Sequence, residues 1–334
     1  MKLRNACFLF AATGFAAFAQ QRMLSPAGPA ANELAHLGWF VLLLSLAVLV
    51  VMWFLIGLVL TRPRGNLREH APADSGGGQR WVIFGGFLFP ALTLASMYVY
   101  SLKSMSEFPL NKGLDGPAQI RVTGHQWWWE VHYLYGPLQD HFVTANEIHI
   151  PVGETVDIDL DSVDVIHSFW VPALHGKVDM IPGKPNRIRV EASHPGILRG
   201  QCAVYCGDEH AKMVLLVVAQ SQADFQNWLT DSRKPAVTPT TPYLIAGQQA
   251  YMSAACSLCH TISGTLSQGT VGPDLTHIGS RRMIAANSLP NNTADLAAWI
   301  THARSLKPAV IMPNITAFNG DQLLQVVAYL QSLK

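Results

Sequence analysis

The sequence predicts a multidomain membrane protein made of a two-helix transmembrane hairpin, an all-β domain and a small all-α domain. Three observations predict it. Two uncharged runs of 24 and 22 residues lie in the first third of the chain, and an apolar helix needs roughly 20 residues to cross a bilayer. The middle third alternates apolar and charged residues with a period of two, the pattern of half-buried antiparallel strands. The last part carries a Cys-x-x-Cys-His motif and closes on an apolar stripe of helical spacing. A length of 334 residues suits two or three structural units. A mean hydropathy of +0.20 with 13% charged residues suits membrane segments joined to soluble parts.

Lys2 and Arg4 precede an apolar run over residues 6–19, and Ala17-Phe18-Ala19 offers the small-x-small pattern that a signal peptidase reads. Residues 1–19 are therefore expected to be a signal peptide and residues 20–36 a segment on the outer face. The uncharged runs 37–60 and 81–102 are the two expected spans. The loop between them, 61–80, holds Arg62, Arg64, Arg68 and Arg80, which places it in the cytoplasm by the positive-inside rule. The remainder of the chain then faces outward from a bacterial inner (plasma) membrane. Gly85, Gly86 and Pro90 fall inside the second run, where a neighbouring helix can pack on small residues and satisfy freed backbone groups. Such a hairpin is expected to lie against a larger membrane partner.

Residues 113–231 form the expected β domain. Val156, Ile158 and Leu160 alternate with Asp157, Asp159 and Asp161, and Ile188 and Val190 with Arg187, Arg189 and Glu191. Turn signals recur at Pro151-Val152-Gly153, Ile181-Pro182-Gly183 and His194-Pro195-Gly196, the spacing of a sandwich or barrel. Within this domain the stretch QCAVYCGDEHAKM sets Cys202, Cys206, His210 and Met213 close together, and His167 upstream offers a second imidazole. Thiolate, thioether and imidazole together suit copper. A disulfide between Cys202 and Cys206 leaves His210 and Met213 without a role, and zinc more often takes other spacings without a Met. The second unusual stretch, Gly124-His125-Gln126-Trp127-Trp128-Trp129, sets three tryptophans in a row. In a strand at least one must face away from the core.

A closing helix is expected from Ser221, with Phe225, Trp228 and Leu229 on one face. Residues 232–242, SRKPAVTPTTP, read as an extended linker able to span about 30 Å. Residues 243–334 hold Cys256-Ser257-Leu258-Cys259-His260, the attachment motif of a c-type haem. His260 is placed to ligate the iron, and Met312, followed by Pro313, is the second candidate ligand, with Met252, Met283 and His302 as competitors. Met/His ligation fills both axial positions and favours electron transfer. Gly247 and Tyr251 on the first helix of this domain, and Leu323, Val326, Val327 and Leu330 on the last, provide faces for packing. The β domain has fifteen acidic and seven basic residues and the haem domain three acidic and five basic. Opposite excesses suit docking of the two. A formal net charge of +1 gives no reason to expect a nucleic-acid partner.

From about residue 32 to the C-terminus the chain resembles subunit II of the haem-copper oxidases, on the Cys-x3-Cys-x3-His-x2-Met loop, the upstream His and the fused CxxCH domain. The resemblance implies a cupredoxin fold and a class I cytochrome c fold for the two soluble domains. It implies a binuclear CuA centre bridged by Cys202 and Cys206, with His167 and His210 as one imidazole per copper and Met213 and the carbonyl of Val204 as axial ligands. It implies covalent haem c on Cys256 and Cys259 with His260 and Met312, the carbonyl of Pro273 orienting His260, and crossing first and last helices. Trp127 corresponds to an exposed residue where electrons enter, and Asp164 to a docking carboxylate for a basic cytochrome c. The implied partners are oxidase subunits I and III and a cytochrome c or other donor. By this resemblance the chain is expected to relay electrons in a proton-pumping cytochrome c oxidase and not itself to reduce oxygen. A nitric oxide reductase subunit and a free membrane-anchored carrier are the alternatives. Val204 stands where the family has a Glu whose carboxylate helps to hold magnesium, so magnesium loses that ligand. Ile83 stands where many members carry a Glu at a proton channel.

Overall fold

The computed structural model describes residues 25–61, 78–107 and 116–334. The expected signal peptide and Arg62, Arg64 and Arg68 lie outside the described residues. Helix α1 runs over Pro29–Thr61, and Pro at its first position forfeits only an N–H that has no intrahelical partner. The second long helix starts with a short turn, α2 (Gly78–Trp81), passes through a π-helical stretch at Val82–Leu88 and continues as α3 (Phe89–Glu107). The π stretch contains Gly85 and Gly86 and ends two residues before Pro90. Proline lacks the N–H for a regular i to i−4 bond, which locally unsettles the ladder. Phe40 stacks on Tyr100 with ring centroids 4.4 Å apart, joining the two helices. Their other apolar side chains are exposed along most of their length, which is what lipid requires and water penalises.

The residues before α1 reach back into the β domain. The Ala27 N–H donates to the Ala173 carbonyl and the Ser193 N–H to the Ala27 carbonyl, both at 2.7 Å. Gly28 lies so close to the Glu191 carbonyl that no side chain fits there. The start of the hairpin is thereby fastened to the soluble part.

Ten strands make two sheets. They are β1 (Ile120–His125), β2 (Trp128–Tyr133), β3 (Phe142–Ala145), β4 (Glu147–Pro151), β5 (Val156–Ser162), β6 (His167–Trp170), β7 (Val178–Met180), β8 (Asn186–Val190), β9 (Gly196–Cys202) and β10 (Val214–Gln220). The orders β3-β2-β1-β5-β8 and β4-β10-β9-β6-β7 give a cupredoxin-like sandwich. Ile120, Val122, Trp129, Ile158, Leu160 and Leu215 are among the residues that fill the space between the sheets. The alternating aspartates of β5 do not form a simple solvated face. Asp157 pairs with Arg189 at 2.5 Å and Asp159 with Arg187 at 2.7 Å, because the antiparallel register sets those residues opposite each other.

Helix α4 (Gln222–Ser232) closes the sandwich, with Ser221 accepting the Asp224 N–H as its cap. Its Trp228 stacks on His149, ring centroids 4.0 Å apart. The linker that follows is bound along its course. The Ala236 N–H donates to the Ser263 carbonyl at 3.0 Å, and the His277 ring meets the Lys234 carbonyl at 3.0 Å. The free extended tether suggested by its composition is instead laid against the helical domain.

That domain contains α5 (Pro242–Ser253), α6 (Thr293–Leu306) and α7 (Gly320–Ser332). Helices α5 and α7 cross at Gly247, where a Cβ would collide with the Gln325 carbonyl. Tyr251 and Tyr329 meet next to this crossing, ring centroids 5.9 Å apart. The two soluble domains pack directly on each other. Asn287 donates to the carbonyls of Asn146 (2.8 Å) and Val214 (3.1 Å), Arg281 to Thr144 Oγ1 (3.2 Å), and the Arg282 N–H to Glu147 Oε2 (3.2 Å).

Candidate metal centres

The loop between β9 and β10 gathers one donor set. The ligand atoms of His167, Cys202 and Cys206 lie within 4.8 Å of one another, and all three residues are buried. His167 begins β6, which pairs with β9 and so faces the end of that strand, where Cys202 sits. Cys202 Sγ is 3.9 Å from His167 Nδ1 and 3.2 Å from the Val204 carbonyl. Cys206 Sγ is 3.5 Å from His210 Nδ1 and 3.8 Å from Met213 Sδ. Both thiols are free. Two sulfurs at the centre, each flanked by one imidazole nitrogen, with a thioether and a carbonyl beyond, are a soft closed donor set that fits copper. The hydrogen bond from Cys206 holds the Cys202 thiol below its ordinary pKa, and the same bond, with burial, raises that of Cys206. Between them the pair gives up one proton readily, as metal binding requires.

The backbone of the loop is fitted to this geometry. Gly207 adopts φ +116, which favours glycine, and a Cβ there would lie 2.9 Å from the Trp127 ring. Trp127 Nε1 and Gln126 Nε2 both donate to the Cys206 carbonyl, at 3.1 and 2.7 Å. Asp164 Oδ1 accepts from His167 Nε2 at 2.8 Å, and its carboxylate also takes the Gln126 N–H (2.7 Å) and the Val165 N–H (2.6 Å). Although burial raises the Asp164 pKa, these bonds outweigh it and hold the carboxyl below its ordinary value. The bond to Nε2 leaves Nδ1 of His167 free to ligate.

Of the two expected surface residues, Trp127 is buried and Asp164 is exposed. Trp127 is only 8% exposed; its ring lies against Gly207, and its backbone carbonyl accepts from Lys307 of the helical domain. Asp164 keeps its side chain 29% exposed while its carboxylate accepts from His167 and two backbone N–H groups, so it also orients a copper-loop histidine. Trp129 is fully buried between the sheets, and Trp128 stacks on His125 with centroids 4.3 Å apart.

The second candidate centre is a cavity of the helical domain walled by Cys256, Cys259, His260, Met283 and Met312. The competitors Met252 and His302 do not line it. His260 Nδ1 donates to the Pro273 carbonyl at 2.7 Å. That bond leaves Nε2 as the ligating nitrogen, and burial lowers the pKa of the ring, favouring the neutral form that a metal needs. Arg281 also lines the cavity and keeps one buried donor, Nε, without a partner. Paired thiols, a neutral imidazole and a thioether in one cavity, apolar walls and an unpaired guanidinium N–H fit a covalently held haem with acidic side groups.

Gln126, Trp127, Trp128 and Asn146 of the β domain form part of the same cavity wall. Trp127 thus touches the haem cavity and donates to the backbone of a copper-loop cysteine. Lys307 also enters this junction, and its role was not read from the sequence. It is the one charge in residues 305–320, a signal that could have marked it.

Comparison with known proteins agrees with both centres. The family model described as cytochrome c oxidase subunit II, periplasmic domain, matches residues 135–220, and the cytochrome c model matches residues 244–334. A cytochrome c oxidase subunit 2 from Alkalihalophilus pseudofirmus is 38% identical over 221 residues, 66% of this chain and 62% of that protein. The chain thus aligns with somewhat under two thirds of that relative's length. The cytochrome c oxidase subunit 2 of Bacillus subtilis is 24% identical over 335 residues, covering 93% of this chain and 91% of that one. A crystal structure of the periplasmic domain of cytochrome oxidase subunit II from Bradyrhizobium japonicum is 29% identical, covers 35% of this chain and 96% of that one, and has a TM-score of 0.32.

Proposed function

Since the chain belongs to the cytochrome c oxidase subunit II family and carries a cytochrome c domain at its C-terminus, we propose that it relays electrons from its own haem c through a binuclear CuA centre to the oxygen-reducing site of subunit I in a proton-pumping oxidase. The domains implied by the two family matches call for copper and haem c, and when bound these groups supply reversible one-electron carriers.

Cys202, Cys206, His167 and His210 would hold the copper, with Met213 and the Val204 carbonyl as the outer donors. Cys256 and Cys259 would anchor the haem, and His260 and Met312 would ligate its iron. A filled donor set on a rigid sandwich leaves no open position for substrate, which suits electron transfer. Val204 offers no carboxylate, so no magnesium ligand is assigned there. The two helices hold the chain in the membrane with its soluble domains outside, beside subunits I and III. A cytochrome c or another one-electron donor supplies the haem, because the copper domain's own surface at Trp127 is covered.

The observation that carries this reading is the position of Trp127, in the wall of the haem cavity and 3.1 Å from the Cys206 carbonyl. A residue shared by both candidate centres provides a short path between them. The test uses the full chain in detergent, loaded with copper and haem. Two coppers per chain, a paramagnetic spectrum with one electron shared by both nuclei, and first-order transfer from haem to copper after flash reduction are expected. One copper or none, or an electron that stays on the haem, would overturn the proposal.

A further inference from the structure

Lys307 is a lysine where burial needs a reason. It follows the last residue of α6 and lies five residues before Met312. Its side chain is 2% exposed, and burial lowers its pKa to about 8. An ammonium taken from water into such a place is costly unless its protons find acceptors. Its Nζ donates to two backbone carbonyls of the other domain, Trp127 at 2.8 Å and Lys212 at 3.0 Å. The reverse bond is also present, because Lys212 Nζ donates to the carbonyl of Leu306 at 2.9 Å. The titratable groups facing this junction are Glu209, Lys212 and Cys206, and Glu209 is held by Lys212 at 3.1 Å.

Two ammonium groups thus exchange carbonyls across the domain boundary. One end of this clasp begins the loop that presents Met312. The other holds Trp127, whose indole donates to Cys206, and Lys212, the residue before Met213. Ala309 and Val310, between Lys307 and Met312, pack against the core of the β domain. Apolar contact alone lets two surfaces slide, whereas two directed bonds from one buried cation fix their register.

We propose that Lys307 is a positioning residue for the haem-to-copper step. Its ammonium holds the Met312 loop against Trp127 and the copper loop, so that the electron crosses from one fixed geometry. Tunnelling falls exponentially with separation, so loosening the clasp slows the transfer and makes it wait for the domains to find the productive pose. This inference rests on the relay reading above.

The experiment flash-reduces the haem of the full, metal-loaded chain with a photoexcited ruthenium complex and follows the copper absorption, in buffers of increasing viscosity. Wild type is compared with Lys307→Gln, which keeps one donor amide, and Lys307→Met, which keeps the stem and loses every donor. The expected result is a viscosity-independent rate in wild type, a rate at least tenfold lower and falling with viscosity in Lys307→Met, and an intermediate rate in Lys307→Gln. Haem and copper spectra stay unchanged. If Lys307→Met loses either spectrum, the decision rests on Lys307→Gln, which must be slower than wild type and sensitive to viscosity. Wild-type rates in a variant with intact spectra overturn the role of Lys307 and leave the relay standing. Absence of transfer in wild type overturns the relay itself.

Discussion

Replacing Asp164 by alanine tests whether the copper loop depends on a group outside the donor set. The carboxylate accepts His167 Nε2 at 2.8 Å, the Gln126 N–H at 2.7 Å and the Val165 N–H at 2.6 Å. Removing it frees the ring of His167 to rotate and to take the wrong tautomer, with the proton on the nitrogen that faces Cys202. Loss of such a partner costs about 10–100-fold in metal affinity, or about 1.4–2.7 kcal/mol. The two freed N–H groups lie beside a side chain that is 29% exposed, so water replaces the carboxylate and folding stability changes by less than about 1 kcal/mol. Asp164→Asn retains an oxygen for one donor and falls between wild type and alanine. Competitive copper titration against a chelator of known affinity measures the effect, with thermal unfolding of the copper-free chain as the stability control. Copper affinity within twofold of wild type in Asp164→Ala would refute the claim that this carboxylate sets the His167 tautomer. A large loss of stability in the copper-free chain would assign Asp164 a role in folding instead.

Other outcomes follow from packing and charge. Gly247→Val drives a side chain into the Gln325 carbonyl and to 3.0 Å or closer from Tyr329; overpacking of this kind costs about 1–3 kcal/mol, read as a lower melting temperature of the haem absorption band with the copper signal intact. Met312→Ala removes a thioether that favours reduced iron, and potentiometric titration should show a lower haem potential. Glu130 is held at a pKa of about 2, against an ordinary 4.5, by hydrogen bonds from His125 and His132. Its folded pKa is depressed, so its contribution to stability is complete above pH 4.5 and is lost as pH falls toward 2. Denaturant unfolding of Glu130→Gln and wild type should therefore differ most at pH 6 and converge between pH 4.5 and 2; a constant gap across that range rejects the assignment.

The parts of this molecule legible in the sequence are those whose partners are close in the chain. Cys202, Cys206, His210 and Met213 fall within twelve residues, so their spacing alone implies a shared centre. Cys256, Cys259 and His260 are nearer still. The strands of the sandwich were visible through alternation because one face is buried and the other is not. Contacts across long separations left no such trace. Lys307 and Trp127 are 180 residues apart, and no periodicity links them. Asp164 was visible as a carboxylate three residues before a histidine, yet its direction depends on where the backbone of Gln126 lies, which only the folded sheet determines. Trp127 was expected to be exposed through the family resemblance, and the sequence does not reveal that its ring packs on Gly207 and lines the cavity of the second domain. The linker was read as an extended spacer because Pro and Thr composition reports stiffness and is silent on hydrogen bonds such as that between Ala236 and Ser263.

The covered position of Trp127 changes who controls traffic through the copper centre. On a bare copper domain that indole would be a public terminal, open to any reduced carrier that diffuses past. In the proposed relay the chain keeps the terminal private, and an incoming electron would first be accepted by its own haem. Competing carriers would then meet the haem domain's surface before the copper domain's. Removing residues 232–334 would reopen the terminal and trade a single first-order hop for a crowd of bimolecular encounters.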